Sequence, residues 1–440
     1  MRLAAAALLA SVAAQSASTA VPLALQTFDA AWSIIDSTYY DASFRGVDWK
    51  AVRDEIRPEA ERARTPAELR GAIAKMLARL GESHFAVLPQ FADPGQPGEP
   101  AENDAADRSG SPGFDVRPDG DALLVTRVDL DSPAYDARVR PGDRITSIAG
   151  VSTAALAARV PADLAPRVRA LEIWRAAMMR LRGPAGSRFI ATIVPAAGGV
   201  RTATIERVEE PGQTVLLGNL PPIKLEVASR AVETPSGAEA GVIRFNVWMA
   251  AADAPFAAAV DRFRASRGIV IDLRGNPGGL AGMIMGISGH FFGERTALGT
   301  MTTRTTELTF YANPRLSRPD GKAVEPFGGR VAILIDGLTG SASECFAGGM
   351  QAVGRARVFG ETSMGQALPA SFTKLPNGDT LLHAIGDFVT ADGTRLEGRG
   401  VIPDEPVAVD AASLASGQDP VLAAALAWIA GERSGAGESP

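Results

Sequence analysis

One stretch decides the fold of this chain: Val331-Ala-Ile-Leu-Ile335, then Asp336-Gly-Leu-Thr-Gly340, then Ser341-Ala-Ser-Glu344. An apolar run of strand length passes through a glycine-bounded turn into helix-forming residues, so we expect Ser341 where a buried strand gives way to a helix. The N–H of Ala342 would then lie at the positive end of the helix dipole, which favours an oxyanion. This pattern is typical of half an acyl-transfer site. The alternative is that Ser341 or Ser343 only caps the helix.

The composition is that of a globular protein with more than one domain. The 440 residues are 46% hydrophobic and 21% charged, and a chain of this length is expected to form about two to four domains. The formal net charge of −6 argues against nucleic acid or an anionic membrane surface as a partner. Cys345 is the only cysteine, so no intrachain disulfide can form.

The first 20 residues have the order of a secretory signal. Arg2 is followed by the apolar run Leu3 to Ala14 and then by small residues as far as Ala20, which is the charged, apolar and small sequence of such signals. The apolar part is too short for a stable membrane anchor. We therefore expect export to a periplasm or the medium, with an amphipathic start of the mature domain as the alternative.

The histidines narrow the choice of a general base. Helical periodicity follows the leader, with its clearest start signal in the capping box Thr65-Pro66-Ala67-Glu68. The chain has three histidines, so an imidazole base must be His84, His290 or His383. His290 lies in an apolar, helix-like stretch and His383 in a predicted hairpin strand, where packing or surface roles are commoner. His84 lies at a junction beside Ser83 and is the strongest candidate.

The segment after the helical unit resembles a PDZ domain. Gly113-Phe114-Asp115-Val116 begins a strand, Leu123–Val128 forms a second, Pro141–Gly150 continues the series and Pro166–Arg182 is predicted to be a helix. By this resemblance, Gly113, Phe114, Asp115 and Val116 occupy the carboxylate-binding loop. The implied partner is a C-terminal peptide bound as an added strand. The alternative is a domain kept only as a spacer.

From Val215 onward the pattern alternates between strand and helix. Gly241–Phe245 is a predicted strand, Pro255–Phe263 a helix, and Gly268–Ile271 a strand that enters Asp272-Leu-Arg-Gly-Asn-Pro-Gly-Gly279. The glycines of this loop permit a tight turn and present bare N–H groups. A phosphate-binding loop is not favoured, because the Gly-Lys-Ser/Thr ending is absent.

Four motifs resemble the C-terminal-processing and tricorn-core serine peptidase family. They are Asp272-Leu-Arg-Gly-Asn-Pro-Gly-Gly279, Gly340-Ser-Ala-Ser-Glu344, Gly360-Glu-Thr-Ser-Met-Gly365 and Gly400-Val-Ile-Pro-Asp404, in the family's order. The resemblance implies an α+β multidomain fold with an N-terminal helical unit, a PDZ-like β-rich domain and an α/β core of the ClpP/crotonase-like type. The expected division is a signal peptide (1–20), helical unit (21–90), linker (91–112), PDZ-like domain (113–208), peptidase core (215–410), and C-terminal helix with disordered tail (411–440).

The family has two active-site designs, and the sequence favours one of them. The processing-protease branch places a lysine base at the position that is Gln366 here, and glutamine has no basic nitrogen. The tricorn-core branch instead uses a serine–histidine pair and a late glutamate. The resemblance assigns its roles here as follows: nucleophile Ser341, base His84, orienting residue Ser83, fourth member Glu397, and oxyanion-hole N–H groups from Ala342 and from Gly278 or Gly279. It implies no cofactor and no metal.

These expectations describe an exported serine endopeptidase or oligopeptidase, a tail-specific hydrolase that attacks peptide or protein substrates through an acyl-enzyme. Two other classes stay open at this point. One is a non-catalytic ligand- or peptide-binding protein on the same fold, to which Gln366 gives some weight. The other is a peptide-binding adaptor that works through the PDZ-like domain alone. No oligomeric state is predicted.

Overall fold

The computed structural model describes residues 22–89, 110–217, 222–318 and 321–431. The predicted signal peptide lies outside the described residues, as do most of the predicted linker and the last nine residues of the tail. Among the described residues, no helix combines the length and the apolar character needed to cross a bilayer.

The N-terminal unit consists of helices packed on each other around aromatic and aliphatic side chains. Its bounds are α1 (Leu23–Thr38), a 3-10 turn (Phe44–Gly46), α2 (Trp49–Arg62) and α3 (Pro66–Ala78). The predicted capping box is confirmed, since Thr65 accepts from the N–H of Glu68 and the Glu68 side chain binds back to Thr65. Phe28, Ile35 and Ile73 are completely buried between the helices. The following strand β1 (Ala86–Leu88) leaves this unit and joins a hairpin of the C-terminal half.

The second unit is built on an antiparallel sheet. Its elements are β2 (Gly110–Ser111), β3 (Phe114–Asp119), β4 (Ala122–Val128), α4 (Pro133–Asp136), β5 (Arg144–Ile148), β6 (Val151–Ser152), α5 (Thr153–Ala157), α6 (Pro166–Leu181), β7 (Arg188–Val194), β8 (Arg201–Glu206) and β9 (Val208–Glu209). The main sheet has the order β3-β4-β5-β7-β8, so β3 is an edge strand. Ala177 and Leu181 of α6 are buried against Val116 and other residues of this sheet. The helix predicted over Pro166–Arg182 is confirmed, one residue shorter.

The C-terminal half contains a largely parallel sheet. Its elements are β10 (Gln213–Val215), β11 (Ile223–Leu225), β12 (Val227–Glu233), β13 (Glu239–Phe245), a 3-10 turn (Ala250–Ala252), α7 (Asp253–Arg262), β14 (Gly268–Asp272), α8 (Met283–Ser288), a 3-10 turn (Gly289–Phe291), β15 (Thr296–Thr303), β16 (Glu307–Ala312), β17 (Arg330–Ile335), α9 (Ala342–Ala352), β18 (Arg357–Gly360), β19 (Ala370–Lys374), β20 (Thr380–Ala384), β21 (Gly386–Thr390), β22 (Glu405–Pro406), α10 (Ala411–Ala415) and α11 (Pro420–Ala430). The sheet order is β12-β13-β14-β17-β18-β22, with β12 antiparallel to β13 and the other neighbours parallel.

The central strands of this largely parallel sheet are buried on both faces. Every residue of β14 is buried, and so is every residue of β17 after Arg330, as expected for strands covered on both faces. Helix α9 packs on one face through Phe346 and Met350, and α11 packs on the other through Val421 and Ala425. Because β14 and β17 are parallel neighbours, the loops after them meet at one edge, where sites of α/β proteins commonly form.

Two smaller sheets bring distant parts of the chain to the same edge. One has the order β1-β20-β19 and the other β16-β15-β21. In the first, Ala86 lies opposite Leu382 and Leu88 opposite Thr380. The pairing of β1 with β20 carries the segment just before β1, residues 81–85, from the N-terminal unit to the C-terminal half.

Candidate active site

Ser341 lies between β17 and α9, as the sequence predicted. Its backbone has φ 53° and ψ −121°, a conformation that residues other than glycine rarely adopt and that costs on the order of 1–3 kcal/mol. The Ser341 N–H donates to the carbonyl of Gln366 (2.8 Å) and to Glu344 Oε2 (3.1 Å). Gly278 packs directly against this residue, since a Cβ on Gly278 would lie 2.5 Å from Ser341 Cβ. Hydrogen bonds to Gln366 and Glu344 and the close packing of Gly278 therefore hold the strained turn at Ser341 in place.

Two bare N–H groups lie beside Ser341. In the described part of the chain, neither the N–H of Ala342 nor that of Gly279 donates a hydrogen bond. The Gly278 N–H is occupied, because it donates to Asn276 Oδ1 at 3.0 Å. The sequence left Gly278 and Gly279 as alternatives for the second oxyanion donor, and this contact favours Gly279. A helix N-terminus and a glycine loop together supply donors suited to an oxyanion.

His84 is oriented by its neighbour Ser83. Ser83 Oγ lies 2.7 Å from His84 Nδ1 and 2.9 Å from Glu397 Oε2. An ionised carboxylate only accepts hydrogen bonds, so the single Ser83 hydroxyl proton goes to Glu397, and Ser83 Oγ must accept from His84 Nδ1–H. This fixes the tautomer in which Nε2 carries the lone pair. Burial, with a further contribution from the positive charge of Arg175, lowers the pKa of His84 from 6.5 to about 4, so the imidazole is neutral at pH 7.

Glu397 connects the His84 segment to the C-terminal half. Its Oε1 accepts from the Ser83 N–H (2.8 Å), and its Oε2 accepts from Ser83 Oγ (2.9 Å) and from the Ala367 N–H (2.9 Å). The residue is only 9% exposed. Burial raises the pKa of Glu397, and the three donors oppose that rise. Since all three contacts donate to the carboxylate, they stabilise its ionised form.

Gln366 joins these residues to Ser341. Its carbonyl accepts from the Ser341 N–H, and the next N–H, that of Ala367, donates to Glu397. The structure therefore brings Ser83, His84, Glu397 and Ser341 into one connected network. In the described residues, no hydrogen bond joins the His84 ring to Ser341 Oγ, and His84 Nε2 has no partner. The Gln366 side chain points to Arg175, with Oε1 3.5 Å from Arg175 Nη2.

Glu344 has a larger part in the site than the sequence indicated. The sequence predicts only a structural acid that stabilises the N-terminus of the helix. The side chain is completely buried and accepts from Ser341 N–H, Ser363 Oγ (2.5 Å), Gly365 N–H (2.6 Å) and Gln366 N–H (2.9 Å). Burial raises the pKa of Glu344 to about 7, against the effect of these donors. The three-residue spacing of a capping box could have indicated the first of these contacts but not the others.

Arg167 of α6 was missed, because nothing in the local sequence distinguishes it. Its Nη1 donates to the carbonyls of Ser363 (2.8 Å) and Arg399 (2.7 Å), and its Nη2 donates to that of Gly398 (2.8 Å). These carbonyls belong to the loops that carry Gly365 and Glu397. Helix α6 of the second unit therefore contacts both the loop that carries Gly365 and the loop that carries Glu397.

The predicted peptide-binding loop, Gly113 to Val116, lies at the start of the edge strand β3. Phe114 and Val116 are buried, whereas Asp115 pairs with Arg127 (2.8 Å) and with Arg244 of the C-terminal half (3.2 Å). The Gly113 N–H donates to Ser111 Oγ at 3.1 Å. A cavity of about 1870 Å³ lies beside this strand and is also lined by residues of the C-terminal half; its lining includes Phe114, Asp115, Trp174 and Arg244.

The two other histidines have packing environments, as predicted. His383 in β20 lies within hydrogen-bond distance of Thr38 Oγ1 (3.1 Å) and Thr373 Oγ1 (3.0 Å). His290 packs between Phe256 and Phe291. Across the described ranges, no group of three or more His, Cys, Asp or Glu residues could hold a metal ion.

Comparisons with known proteins cover most of the chain. Residues 239–407 match the model of peptidase family S41, and residues 24–78 match that of the Tricorn protease C1 domain. The chain is 27% identical over 410 residues to the carboxyl-terminal-processing protease of Synechocystis sp., covering 91% of this chain and 85% of that protein. It is 26% identical over 389 residues to the chloroplastic carboxyl-terminal-processing peptidase 2 of Arabidopsis thaliana, covering 86% and 67%.

Solved structures share the fold. The photosystem II D1 C-terminal processing protease superposes with a TM-score of 0.56 at 22% identity, over 89% of this chain and 94% of that one. Mature CPAF superposes with a TM-score of 0.63 at 12% identity, over 94% and 98%. The predicted fold class, mixed helix and sheet in several units, is confirmed.

Proposed function

We propose that the chain is a serine peptidase of family S41, whose model matches residues 239–407, and that Ser341 is the nucleophile and His84 the general base. The observation that carries this proposal is the hydrogen-bonded series Glu397, Ser83, His84, which leaves His84 Nε2 unprotonated. Glu397 also accepts from the Ala367 N–H, and the preceding carbonyl, that of Gln366, accepts from the Ser341 N–H. A neutral, oriented imidazole is what abstraction of a hydroxyl proton requires.

Acylation follows from this arrangement. His84 Nε2 takes the proton of Ser341 Oγ while Oγ bonds to the substrate carbonyl carbon, and the carbonyl oxygen becomes negative. The N–H groups of Ala342 and Gly279 stabilise that oxygen, and one such donor is typically worth about 3–4 kcal/mol. The protonated His84 then gives its proton to the departing amine as the C–N bond breaks, which leaves an acyl ester on Ser341.

Deacylation repeats the same proton transfers with water. His84 Nε2 removes a proton from the water as its oxygen bonds to the acyl carbon. The tetrahedral intermediate then collapses: the bond from that carbon to Ser341 Oγ breaks, His84 returns the proton to Oγ, and the product leaves as a carboxylic acid. During both steps the imidazolium is stabilised through Ser83 by the negative charge of Glu397. Gln366 contributes its backbone and is not the base, because its amide nitrogen has no lone pair available for a proton.

The substrate is proposed to be a peptide or protein that the enzyme cuts as an endopeptidase or oligopeptidase. The relatives of this chain are carboxyl-terminal-processing proteases, which supports a substrate C-terminus as the element recognised. The open edge of β3 and the adjoining cavity support a PDZ-like domain, proposed over residues 113–208, that takes the peptide as an added strand. The remaining domain boundaries are proposed as the sequence predicted them.

The site of action is proposed to be a periplasm or the medium. The order of Arg2, the apolar run Leu3–Ala14 and the small residues that follow supports this location. Mass spectrometry of the mature N-terminus after expression in a Gram-negative host tests it, with cleavage after Ala14 or Ala20 as the expected result.

A fluorophosphonate probe tests the catalytic proposal. We expect the wild-type chain to be labelled and Ser341→Ala to be unlabelled. His84→Ala should lose most of the labelling rate, whereas Gln366→Ala should lose much less. A chain that folds but is never labelled would favour the alternative, a ligand-binding protein on the same fold. If Gln366→Ala were the inactive variant, the assignment of the base would be wrong.

A further inference from the structure

We propose that Glu82 and Arg395 form a positioning pair that fixes the segment carrying His84 against the loop carrying Glu397. The pair joins two segments that lie 313 residues apart in the chain. It touches neither the nucleophile nor the substrate, so its effect on turnover passes through His84. The inference rests on the proposed function, in which His84 is the general base.

The segment from Glu82 to His84 needs support from side chains. In the described part of the chain, the main chain of these three residues makes a single hydrogen bond, from the Ser83 N–H to Glu397. His84 also has φ 62°, a left-handed conformation that is unfavourable for a residue with a Cβ. Such a backbone persists only where its surroundings hold it in place.

Glu82 is the best-anchored residue of this segment. Its side chain is only 6% exposed, and its carboxylate accepts from Tyr39 Oη (2.6 Å), Tyr40 Oη (2.8 Å) and Arg395 Nη2 (2.7 Å). Arg45 Nη1 lies further away, at 3.5 Å. Both tyrosines follow the end of α1, so the N-terminal helical unit holds one side of the carboxylate and Arg395 holds the other.

Arg395 is fixed in turn by residues of the C-terminal half. Its Nε donates to Asp387 Oδ2 at 2.6 Å, and its Nη2 also donates to Tyr40 Oη at 3.0 Å. Arg395 precedes Glu397 by two residues. Two adjacent residues before the base are therefore tied to one short stretch: Glu82 to Arg395 and Ser83 to Glu397.

This geometry predicts a specific defect when the pair is broken. Without Arg395, Glu82 stays bound to Tyr39 and Tyr40 of the N-terminal unit. Among the described residues, the Ser83–Glu397 contacts are then the side-chain attachment left between residues 82–84 and the loop of the C-terminal half, so the imidazole is held less firmly relative to that half. A misplacement of about 1 Å costs on the order of 100-fold in rate. Substrate binding should change little, because neither residue faces the proposed peptide-binding cavity.

The test compares Arg395→Met with Arg70→Met in the full chain. Arg70 is a matched control, because it also joins the N-terminal unit to the C-terminal half, through Asp379 (3.3 Å), with side chains 15% and 5% exposed. We expect Arg395→Met to lower kcat by about 10- to 100-fold with KM within about twofold of wild type. Arg70→Met should keep the wild-type kcat even if its melting temperature falls equally.

The pH profile separates positioning from simple loss of stability. In Arg395→Met the imidazole should become better solvated, so the acid limb of the fluorophosphonate labelling rate should move upward toward pH 6.5, the ordinary pKa of histidine. Arg70→Met should leave that limb unchanged. If Arg395→Met does not fold, Glu82→Gln, which keeps the side-chain shape, carries the same expectations.

Two outcomes would overturn the inference while leaving the peptidase proposal intact. One is an Arg395→Met or Glu82→Gln protein with the kcat and acid limb of Arg70→Met. The other is a double variant Glu82→Gln/Arg395→Met whose losses are fully additive, since members of one pair should not lose activity independently. Absence of labelling in the wild-type chain would instead contradict the proposed function itself.

Discussion

His84 combines a strained backbone with an imidazole that burial keeps neutral. Its φ of 62° and that of 53° at Ser341 are both positive, so the proposed base and nucleophile each sit on a conformation that neighbouring contacts must maintain. Ser83 and Glu397 provide these contacts for His84, while Gln366, Glu344 and the close approach of Gly278 provide them for Ser341. Strain of this kind is common where reactive side chains are presented from rigid surroundings.

Activity should persist further into acid than an ordinary histidine allows. Burial, assisted by the charge of Arg175, lowers the pKa of His84 to about 4, and a base works only when it is unprotonated. We therefore expect the acid limb of kcat/KM to fall near pH 4, measured from about pH 3.5 to pH 8 with a neutral peptide substrate. Arg175→Met should move this limb upward. A limb near pH 6.5 in the wild type would contradict the lowered pKa of His84.

The loss of activity on replacing Glu397 should depend on how many of its hydrogen bonds the new side chain can still make. Glu397→Gln keeps a carbonyl oxygen that can accept from Ser83 Oγ and Ala367 N–H, but its NH₂ group faces the Ser83 N–H, which is also a donor. We expect kcat to fall by about tenfold in Glu397→Gln and by about 100-fold or more in Glu397→Ala. Steady-state kinetics with a circular dichroism check on folding would measure this. Equal activity of all three proteins would remove Glu397 from the site.

At the scale of single elements, α6 couples the second unit to the C-terminal half. Trp174, Ala177, Met178 and Leu181 pack in the core of the second unit. Arg167, near the N-terminus of the same helix, donates to carbonyls of the loops around Ser363 and Gly398. A charged donor on three carbonyls is worth more than a neutral contact. The position of α6 is therefore tied to the shape of the loops that hold Glu344 and Glu397.

Arg167→Met should weaken catalysis without disrupting the second unit. We expect kcat to fall by about tenfold, since the two loops lose a shared attachment. The matched control is Arg169→Met on the same helix, because Arg169 donates to Ala157 within the second unit, at 3.1 Å. That variant should keep the wild-type kcat. The two proteins are compared by peptide hydrolysis and by thermal melting, and equal rates would contradict the coupling through Arg167.

At the scale of the whole molecule, local signals in the sequence predicted local structure. The capping box at Thr65, the strand-turn-helix around Ser341 and the hairpin of β19 and β20 around Asn377-Gly378 all depend on neighbours in sequence, and each is present. Such features follow from backbone propensity and side-chain periodicity over a few residues.

Contacts between distant residues could not be read from the same signals. The strand β1 has three residues, too few for a periodic pattern, yet its pairing with β20 carries His84 to the site. The occupation of the Gly278 N–H by Asn276 depends on a side-chain rotamer, and the contacts of Arg167 depend on how two units pack. The resemblance to a family supplied Ser83, His84 and Glu397 together, whereas periodicity alone would have left His84 as one of three histidines.

Folding stability should decline as the pH falls from about 6.5 toward 4. Burial lowers the pKa of His383 to about 4 in the folded chain, so the unfolded state binds more protons over that range. The stability from a neutral His383 is complete above pH 6.5 and is lost on acidification, by about 2–3 kcal/mol at pH 4.5.

His383→Gln should reduce this pH dependence, because it removes one such titration while keeping hydrogen-bonding groups near Thr38 and Thr373. The measurement is urea unfolding at pH 7.5 and pH 4.5 for both proteins. The difference in free energy of unfolding between the two pH values should be smaller in the variant by about 2–3 kcal/mol. An equal difference in the two proteins would show that His383 does not contribute.

The pairing of β1 with β20 has a consequence for the synthesis and folding of the polypeptide. On the ribosome, the segment that carries His84 is synthesised long before Ser341. The two residues are brought into one site only when β20 of the later hairpin pairs with β1. On the proposed function, a chain that ends before the hairpin of β19 and β20 is therefore expected to be inactive.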